Sequence, residues 1–309
     1  MLRAIIIRSS RRVFDCKDLQ THQVLQATAL GNLLKDDFLT VGDEVELRHD
    51  STTQQYIIEK CLPRKSFIFR KLVREKKIKP VAANVDLLVI VCSVSHPHYK
   101  QGLIDRYLVR SAQWNIPTAI VFNKMDQYQK EVHLPQEQER LKSLPVTCFE
   151  VSAHDLQYQA QYLDYGYQDF KKFLKNKRSL FLGQSGVGKS KLINQLTENQ
   201  FSLLSKDLGR AHKGAHTTTW SELIQFEDWE LIDSPGIRSH SLNDLKDEEL
   251  IDYFPDLNIK TQLCQFHDCD HTPLAQGCYF HSSQVTPLER SRFESFLKIK
   301  DEIQKEQCN

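Results

Sequence analysis

The sequence lacks the features that would place it in a membrane or on a secretory route. Its longest apolar run, Leu87–Val94, is far shorter than the about 20 residues that a membrane-spanning helix needs. The apolar stretch Ala4–Ile7 is too short for the hydrophobic part of a signal peptide. We therefore expect a cytoplasmic protein. In that compartment thiols stay reduced, and a cysteine cluster holds a metal more often than a disulfide.

Charge and composition are those of an ordinary globular protein. The net charge of the 309 residues is only +1, so total charge indicates no partner and basic residues must be examined locally. The chain has no internal repeat and no low-complexity segment. With 40% hydrophobic and 26% charged residues it can build cores of ordinary size, and its length predicts two or three domains.

The apolar pattern predicts a small β-barrel or sandwich followed by an α/β sheet. Up to about residue 75, short strands alternate with turns, which is typical of all-β modules. From about Pro80, buried apolar strands alternate with amphipathic helices, which predicts a sheet covered on both faces. Beyond Ser239 the chain is polar and loop-like before a final helix. The predicted strands are Val24–Leu30, Val41–Leu47, Tyr56–Leu62, Ser66–Leu72, Leu87–Val94, Thr118–Phe122, Val146–Val151, Ser179–Leu182 and Glu230–Ile232, and the main helices Leu103–Trp114 and Leu288–Ile303.

A phosphate-binding loop is the strongest motif. It fits G-x-x-x-x-G-K-[ST] through Gly183, Gln184, Ser185, Gly186, Val187, Gly188, Lys189 and Ser190. Glycines allow the backbone N–H groups to surround a β-phosphate, Lys189 neutralises phosphate charge, and Ser190 ligates Mg²⁺. The predicted helix Lys189–Leu196, which includes Lys191, directs its positive end at the phosphates. A glycine-rich turn with a chance lysine is the alternative, but a predicted strand runs directly into the loop.

A guanine-reading loop, Asn123-Lys124-Met125-Asp126, follows the predicted strand Thr118–Phe122. The Asp126 carboxylate can accept hydrogen bonds from N1–H and the amino group of guanine, whereas adenine would leave a buried charge unpaired. Lys124 can lay its aliphatic stem over the base, and Asn123 can tie this loop to the phosphate loop. Alone, the tetrapeptide is equally compatible with a solvated turn.

A second base-contacting loop is predicted at Ser152-Ala153-His154, directly after the predicted strand Val146–Val151. Here the backbone N–H of Ala153 would meet guanine O6. The dipeptide Ser152-Ala153 alone predicts little, but its position directly after a predicted strand supports a base-contacting role.

Switch elements are predicted between and after these loops. Asp233-Ser234-Pro235-Gly236 is a D-x-x-G in which Asp233 would hold Mg²⁺ through water and the Gly236 N–H would sense the γ-phosphate. In Gly209–Thr219, Thr218 is the first choice to complete the Mg²⁺ shell, although the threonines are also compatible with the start of a strand. Many GTPases place a water-orienting glutamine after the D-x-x-G. Ile237 occupies this position, so intrinsic hydrolysis should be slow, and His216 is a candidate to assist it.

The order of these motifs predicts a circularly permuted GTPase. Asp126 lies 57 residues before Gly183, whereas the common order begins with the phosphate loop. Permutation is tolerated where the original termini lie close together. Two other functions stay open: a P-loop kinase or ATPase, which the guanine and switch motifs oppose, and a nucleic-acid-binding module with a vestigial nucleotide site.

Taken together, the chain resembles the RsgA (YjeQ) family of bacterial GTPases for small-subunit biogenesis over nearly its whole length. The resemblance rests on the motifs above, on Ala83–Asp86, on Asp105–Leu108 and on the cluster Cys264–His271. It implies an N-terminal OB-fold (residues 1–76), a permuted GTPase domain (77–240) and a C-terminal helical zinc domain (241–309). It also implies GTP hydrolysis stimulated by the small ribosomal subunit. Ser234 and the six residues between His271 and Cys278 are small departures from the family pattern.

A zinc site is predicted from the C-x4-C-x-H-x6-C spacing of Cys264, Cys269, His271 and Cys278. Three thiolates and one imidazole form a closed tetrahedral site, which would fold the segment and take no part in catalysis. From spacing alone, buried free thiols remain an alternative, and His267 and His281 are rival ligands. The family resemblance favours His271.

The basic segment Lys60–Lys79 is the candidate for a nucleic-acid contact. It holds nine lysines and arginines with Phe67 and Phe69 among them. Beside an OB-like barrel it could bind the RNA backbone, although such runs are often only solvated faces. The predicted partners are the small ribosomal subunit and its rRNA, and the chain is expected to be a monomer.

Overall fold

The structure, a computed structural model, describes residues 1–10, 12–31, 33, 39–72, 77–201, 221–233, 242 and 244–307. The strands are β1 (Leu2–Ser10), β2 (Val13–Asp18), β3 (Val24–Ala29), β4 (Glu44–Asp50), β5 (Gln55–Cys61), β6 (Phe67–Leu72), β7 (Lys77–Ala83), β8 (Leu87–Ser93), β9 (Thr118–Asn123), β10 (Val146–Glu150), β11 (Arg178–Leu182), β12 (Glu222–Gln225) and β13 (Glu230–Asp233). The α-helices are α1 (Gln101–Trp114), α2 (Leu134–Leu141), α3 (Tyr167–Phe173), α4 (Lys189–Leu196), α5 (Pro255–Asn258) and α6 (Pro287–Gln307).

The first five strands form a closed barrel. β1 pairs antiparallel with both β2 and β4, and the circuit closes through β3 and the parallel pair β3–β5. Alternate side chains of β4 point inward, because Val45 and Leu47 are buried between more exposed neighbours. The expected barrel is therefore present, but two of its strands, β1 and β2, were not predicted.

The start of β4 also differs from the prediction, which placed it at Val41. In the structure, residues 40–43 form a turn in which the Asp43 carboxylate accepts the Thr40 N–H at 2.8 Å. Gly42 has a φ of +91°, and a Cβ there would lie 2.1 Å from the Ala83 carbonyl oxygen. This close approach between the barrel and β7 requires glycine at position 42. β4 therefore begins only after the turn, at Glu44.

The central sheet has the order β10-β9-β8-β11-β13-β12, with all strands parallel except β12. β8 is buried along its whole length and alternates between two cores. Leu88 and Ile90 pack on one face, whereas Val89 and Val91 pack on the other. This arrangement confirms the predicted α/β sheet with both faces covered. β1 pairs with β12 at Arg8 and Glu222, which joins this sheet to the barrel.

The strands β6 and β7 form a separate antiparallel hairpin. The expected boundary between residues 76 and 77 falls between these two strands, and it stays a prediction. The hairpin is anchored by Asn84, whose side chain accepts from the Lys65 N–H at 2.8 Å and donates to the Gly42 carbonyl at 2.9 Å.

The C-terminal part folds around aromatic side chains. Phe254, Phe280, Phe293 and Phe296 are buried in one cluster between short helical turns and α6. Its helical character agrees with the expected C-terminal architecture. None of the helices in the described part of the chain has the length and apolar character that a membrane crossing requires.

Candidate nucleotide site and metal centre

The predicted nucleotide motifs converge at one edge of the central sheet. β8, β9, β10, β11 and β13 are parallel, so their carboxyl ends meet at this edge, where ligands of α/β proteins commonly bind. The Asn123–Asp126 loop follows β9, Ser152-Ala153 follows β10, and the phosphate loop follows β11. The topology thus brings together loops that are far apart in the sequence.

Two glycines of the phosphate loop are required by close contacts. A Cβ at Gly183, with a φ of +153°, would lie 2.4 Å from the Val91 carbonyl oxygen of β8. A Cβ at Gly188, with a φ of +91°, would lie 2.4 Å from Asn123 Nδ2. The loop can therefore reach α4, which begins at Lys189 as predicted, only with glycine at both positions.

Asn123, in the guanine-reading loop, joins that loop to the phosphate loop and to the second base-contacting loop. Its Nδ2 donates to the Val187 carbonyl of the phosphate loop at 2.9 Å, and its Oδ1 accepts the Ala153 N–H at 3.0 Å. The side chain is 1% exposed, so both hydrogen bonds are shielded from water. The structure thus contains the tie between guanine loop and phosphate loop that the sequence predicts.

Asp126 is held by the second base loop. Ser152 Oγ donates to Asp126 Oδ1 at 2.6 Å and accepts the Asp155 N–H at 2.9 Å. Ser152 is buried, whereas the Asp126 residue is exposed at the sheet edge. The carboxylate therefore has a fixed orientation and remains open to a ligand. Since the Ala153 N–H already binds Asn123, the predicted contact with guanine O6 would be a bifurcated hydrogen bond.

Several contacts at this edge were not predicted. Lys124 Nζ donates to the backbone carbonyl of His96, in the loop after β8. Lys191 Nζ lies 2.7 Å from Nδ1 of His154, which links α4 to the second base loop. Motif analysis misses a backbone carbonyl because any residue can supply it, and it missed the Lys191–His154 pair because neither residue occupies a fixed motif position.

Glu150, at the end of β10, was also missed. Its fully buried carboxylate accepts N–H groups from Tyr162 and Leu163, each at 3.1 Å, and the Tyr158 hydroxyl at 3.2 Å. These bonds fix the segment that follows the second base loop. An acidic residue at the end of an apolar strand was the available signal.

The magnesium and switch residues are described only in part. Ser190 is exposed at the start of α4, and Asp233 is exposed at the end of β13, which is hydrogen-bonded to β11. Ser234, Gly236, Ile237 and the segment 209–219, with His216, Thr217 and Thr218, lie outside the described residues. Their predicted roles stay predictions.

The cluster Cys264, Cys269, His271 and Cys278 comes together as predicted. The four ligand atoms all lie within 4.8 Å of one another, so the group could hold a metal ion. His271 Nδ1 is 3.7 Å from both Cys264 Sγ and Cys278 Sγ. His281 instead lies 2.8 Å from the Thr272 carbonyl, and His267 is exposed. The geometry therefore selects His271 among the rival histidines.

These distances and the lowered pKa of His271 suit a tetrahedral metal. Bond lengths of about 2.3 Å to sulfur and about 2.1 Å to nitrogen place the two ligand atoms about 3.6 Å apart at a tetrahedral ion. Burial lowers the pKa of His271, which keeps its imidazole neutral for ligation. Burial raises the pKa of the Cys278 thiol to about 12, so a metal must displace a proton there.

Comparison with known proteins agrees with this geometry. The family model described as RsgA GTPase matches residues 61–243, more than half of the chain. The chain belongs to the RsgA GTPase family. It is accordingly a GTP-hydrolysing enzyme whose ligand is a guanine nucleotide.

Relatives of similar length support the assignment. The small ribosomal subunit biogenesis GTPase RsgA of Porphyromonas gingivalis is 33% identical over 274 residues, covering 84% of this chain and 83% of that protein. The protein of the same name from Thermotoga neapolitana is 30% identical over 304 residues, covering 97% and 96%.

Two solved structures share the fold. YjeQ from Thermotoga maritima superposes with a TM-score of 0.74 at 26% identity, covering 98% of each chain. YloQ, described as a circularly permuted GTPase, superposes with a TM-score of 0.71 at 23% identity and covers 99% of this chain and 96% of its own. The predicted circular permutation is thereby confirmed.

Proposed function

We propose that this enzyme binds the small (30S) ribosomal subunit, assists its late maturation and hydrolyses GTP faster when bound to it. The observation that carries the nucleotide part is the joining of three loops by the buried side chain of Asn123. The names of the relatives, which are small ribosomal subunit biogenesis GTPases, support the partner. We also propose that it acts in the cytoplasm, as a monomer.

In the proposed complex, the guanine base lies beside Asp126 and the phosphates lie within residues 183–190. Asp126 is oriented by Ser152 to accept N1–H and the amino group of guanine. Lys189 neutralises phosphate charge, and Ser190 and Asp233, with Thr218, complete the shell of one Mg²⁺ ion. The Gly236 N–H senses the γ-phosphate.

Slow intrinsic turnover follows from the residue after the D-x-x-G. The alkyl side chain of Ile237 cannot orient a water molecule, so another group must do so. We propose that His216 orients this water molecule, and that binding of the ribosomal subunit places His216 in position to do so. If H216A hydrolysed GTP on the subunit as fast as the unaltered protein, His216 would have no such role.

The partner surface is proposed on the barrel and on the β6–β7 hairpin beside it. Lys60, Lys65 and Lys79 are exposed there, and Phe67 lies beside Phe69 with 5.6 Å between ring centroids. Arg64 contributes less, because its guanidinium binds Asp43 at 2.7 and 2.9 Å. Lysine contacts to the RNA backbone release counterions, so affinity for the subunit should fall steeply with salt. Affinity independent of salt would contradict an RNA contact.

We propose that the metal at the four-residue cluster is one structural zinc ion. The donor set of three sulfurs and one nitrogen is typical of closed zinc sites, which leave no position for a substrate. Metal analysis of protein purified without chelator should give one zinc per chain. A different ion, or none, would contradict the proposal.

The function is tested by GTP hydrolysis with and without purified small subunits. Competition by unlabelled ATP and GTP in the same assay separates a GTPase from a P-loop ATPase or kinase. Stimulation by small subunits and displacement only by guanine nucleotides are expected. Hydrolysis that does not respond to subunits would remove the ribosomal proposal and leave the enzyme assignment intact.

A further inference from the structure

Helix α1 contacts both the C-terminal helix α6 and the nucleotide edge of the sheet. Asp105, on α1, binds Arg292 of α6, and Arg110, further along α1, binds Asp244 at 3.0 Å. Leu103, Ile104 and Tyr107 line a cleft together with Gln184 and Val187 of the phosphate loop. One rigid helix therefore has the C-terminal part on one side and the phosphate loop on the other.

The contact between α1 and α6 is a buried network of charges. Asp105 Oδ1 accepts hydrogen bonds from Arg140 of α2, at 2.9 Å, and from Arg292. The guanidinium of Arg292 also binds Asp256 of α5, at 2.7 and 3.0 Å. Arg140 also binds Glu137 at 3.0 Å. The side chains of Asp105, Arg140 and Arg292 are at most 3% exposed.

A gain in stability is a weak explanation for this network. Burying charged groups costs desolvation energy, and well-packed apolar residues often serve stability equally well or better. In addition, Asp105 Oδ2 is buried and accepts no hydrogen bond from the described residues. What the network does supply is geometric specificity, because the forked guanidinium of Arg292 donates to the carboxylates of Asp256 and Asp105 at the same time. It sets how the C-terminal part sits on α1.

The opposite side of α1 reaches the phosphate loop directly. Tyr107 lines the cleft together with Gln184 and Val187 of the phosphate loop. Burial raises the pKa of Tyr107, and the nearby backbone of Gly183 partly offsets this rise. Tyr99, just before α1, donates to Glu137 and so joins the same network from the cleft. A small shift of α1 would therefore move a side chain that lies against the phosphate loop.

We infer that Asp105 and Arg292 are positioning residues that couple the C-terminal part of the chain to nucleotide affinity through α1. The inference rests on the proposed phosphate-loop site. Its consequence is that an event at the C-terminal part, such as contact with a partner, changes nucleotide binding without touching the nucleotide.

The test uses the fork of Arg292. Arg292→Met removes the contact with Asp105 and that with Asp256, whereas Asp256→Asn weakens only the contact inside the C-terminal part. The dissociation constant for N-methylanthraniloyl-GDP is measured by fluorescence on the full-length variants, with thermal unfolding as a separate measure of stability. We expect R292M to weaken binding about tenfold, as for a typical allosteric coupling, and D256N by less than about twofold. Should R292M fold poorly, R292Q replaces it with the same expected order.

A double-mutant cycle with Asp105→Asn completes the test. If the two residues act through one contact, D105N combined with R292M should weaken GDP binding little more than R292M alone. Equal effects of R292M and D256N, or additive effects of D105N and R292M, would overturn the coupling and leave a merely structural network. Failure of the unaltered protein to bind GDP would instead refute the nucleotide-site assignment.

Discussion

Replacement of Asn123 by alanine tests whether the loop junction determines nucleotide affinity. The change removes hydrogen bonds of 2.9 and 3.0 Å and leaves the Val187 carbonyl and the Ala153 N–H without this partner in a buried site. Leaving a buried group unsatisfied costs about 1–3 kcal/mol. If about 2 kcal/mol of this cost appears as a loss of nucleotide binding free energy, GDP affinity falls about 30-fold, since 1.4 kcal/mol corresponds to tenfold.

Asn84 provides a matched control. It is also a buried asparagine with two hydrogen bonds, to Lys65 and Gly42, but it joins the barrel to the hairpin. Asn84→Ala should destabilise the fold at least as much, because Asn84 also has a φ of 56°, which alanine adopts less readily. We expect N84A to lower the unfolding temperature and leave GDP affinity within about twofold of the unaltered protein, since no nucleotide loop loses a contact. Fluorescence titration with labelled GDP measures both variants, and equal losses of affinity would refute the reasoning.

Three further changes test other parts of the site. Asp126→Asn should weaken GTP binding about 100-fold, because a charged acceptor worth up to about 3 kcal/mol is lost, and should favour xanthosine triphosphate, whose C2 oxygen suits an amide donor. Competition titrations measure this, and an unchanged preference for guanine would contradict the assigned role. Ser152→Ala removes the 2.6 Å hydrogen bond that orients Asp126 and should cost about tenfold in GDP affinity, so unaltered affinity would show that the carboxylate is held by other means. Removing the metal with a chelator should lower the unfolding temperature of the C-terminal part, and rebinding should be weaker at lower pH, because burial raises the pKa of Cys278 to about 12 and protons compete for the thiolate. Calorimetry and metal titration at two pH values check this, and identical scans with and without chelator would count against a structural metal.

The nucleotide loops were predictable because their strands are strongly apolar. β8, β9 and β11 are almost wholly buried, so each gives a continuous apolar run ending where its motif or loop begins. The predicted ends of these strands differ from the observed ones by one residue or none. A fixed motif after a buried parallel strand places its side chains at the ligand edge with little ambiguity.

The strands that were missed are only half buried or very short. β1 and β2 carry charged residues such as Arg3, Arg8 and Asp15 among their apolar ones, and β12 has only four residues. β7, which was also not predicted, begins with alternating lysines and contains Pro80. Their pairing is decided by barrel closure and by contact with β13, which are properties of the whole fold. The contacts of His96, Lys191 and Glu150 were not predicted for the same reason, because each depends on partners that are distant or carry no sequence signature.

We propose that this GTPase acts on the small ribosomal subunit and depends on it for rapid turnover. The decisive measurement is single-turnover GTP hydrolysis at low salt with small subunits, with large subunits and with neither. We expect slow hydrolysis alone, strong acceleration by small subunits only and loss of that acceleration at high salt. Equal rates in all three reactions, or acceleration by large subunits instead, would contradict this proposal.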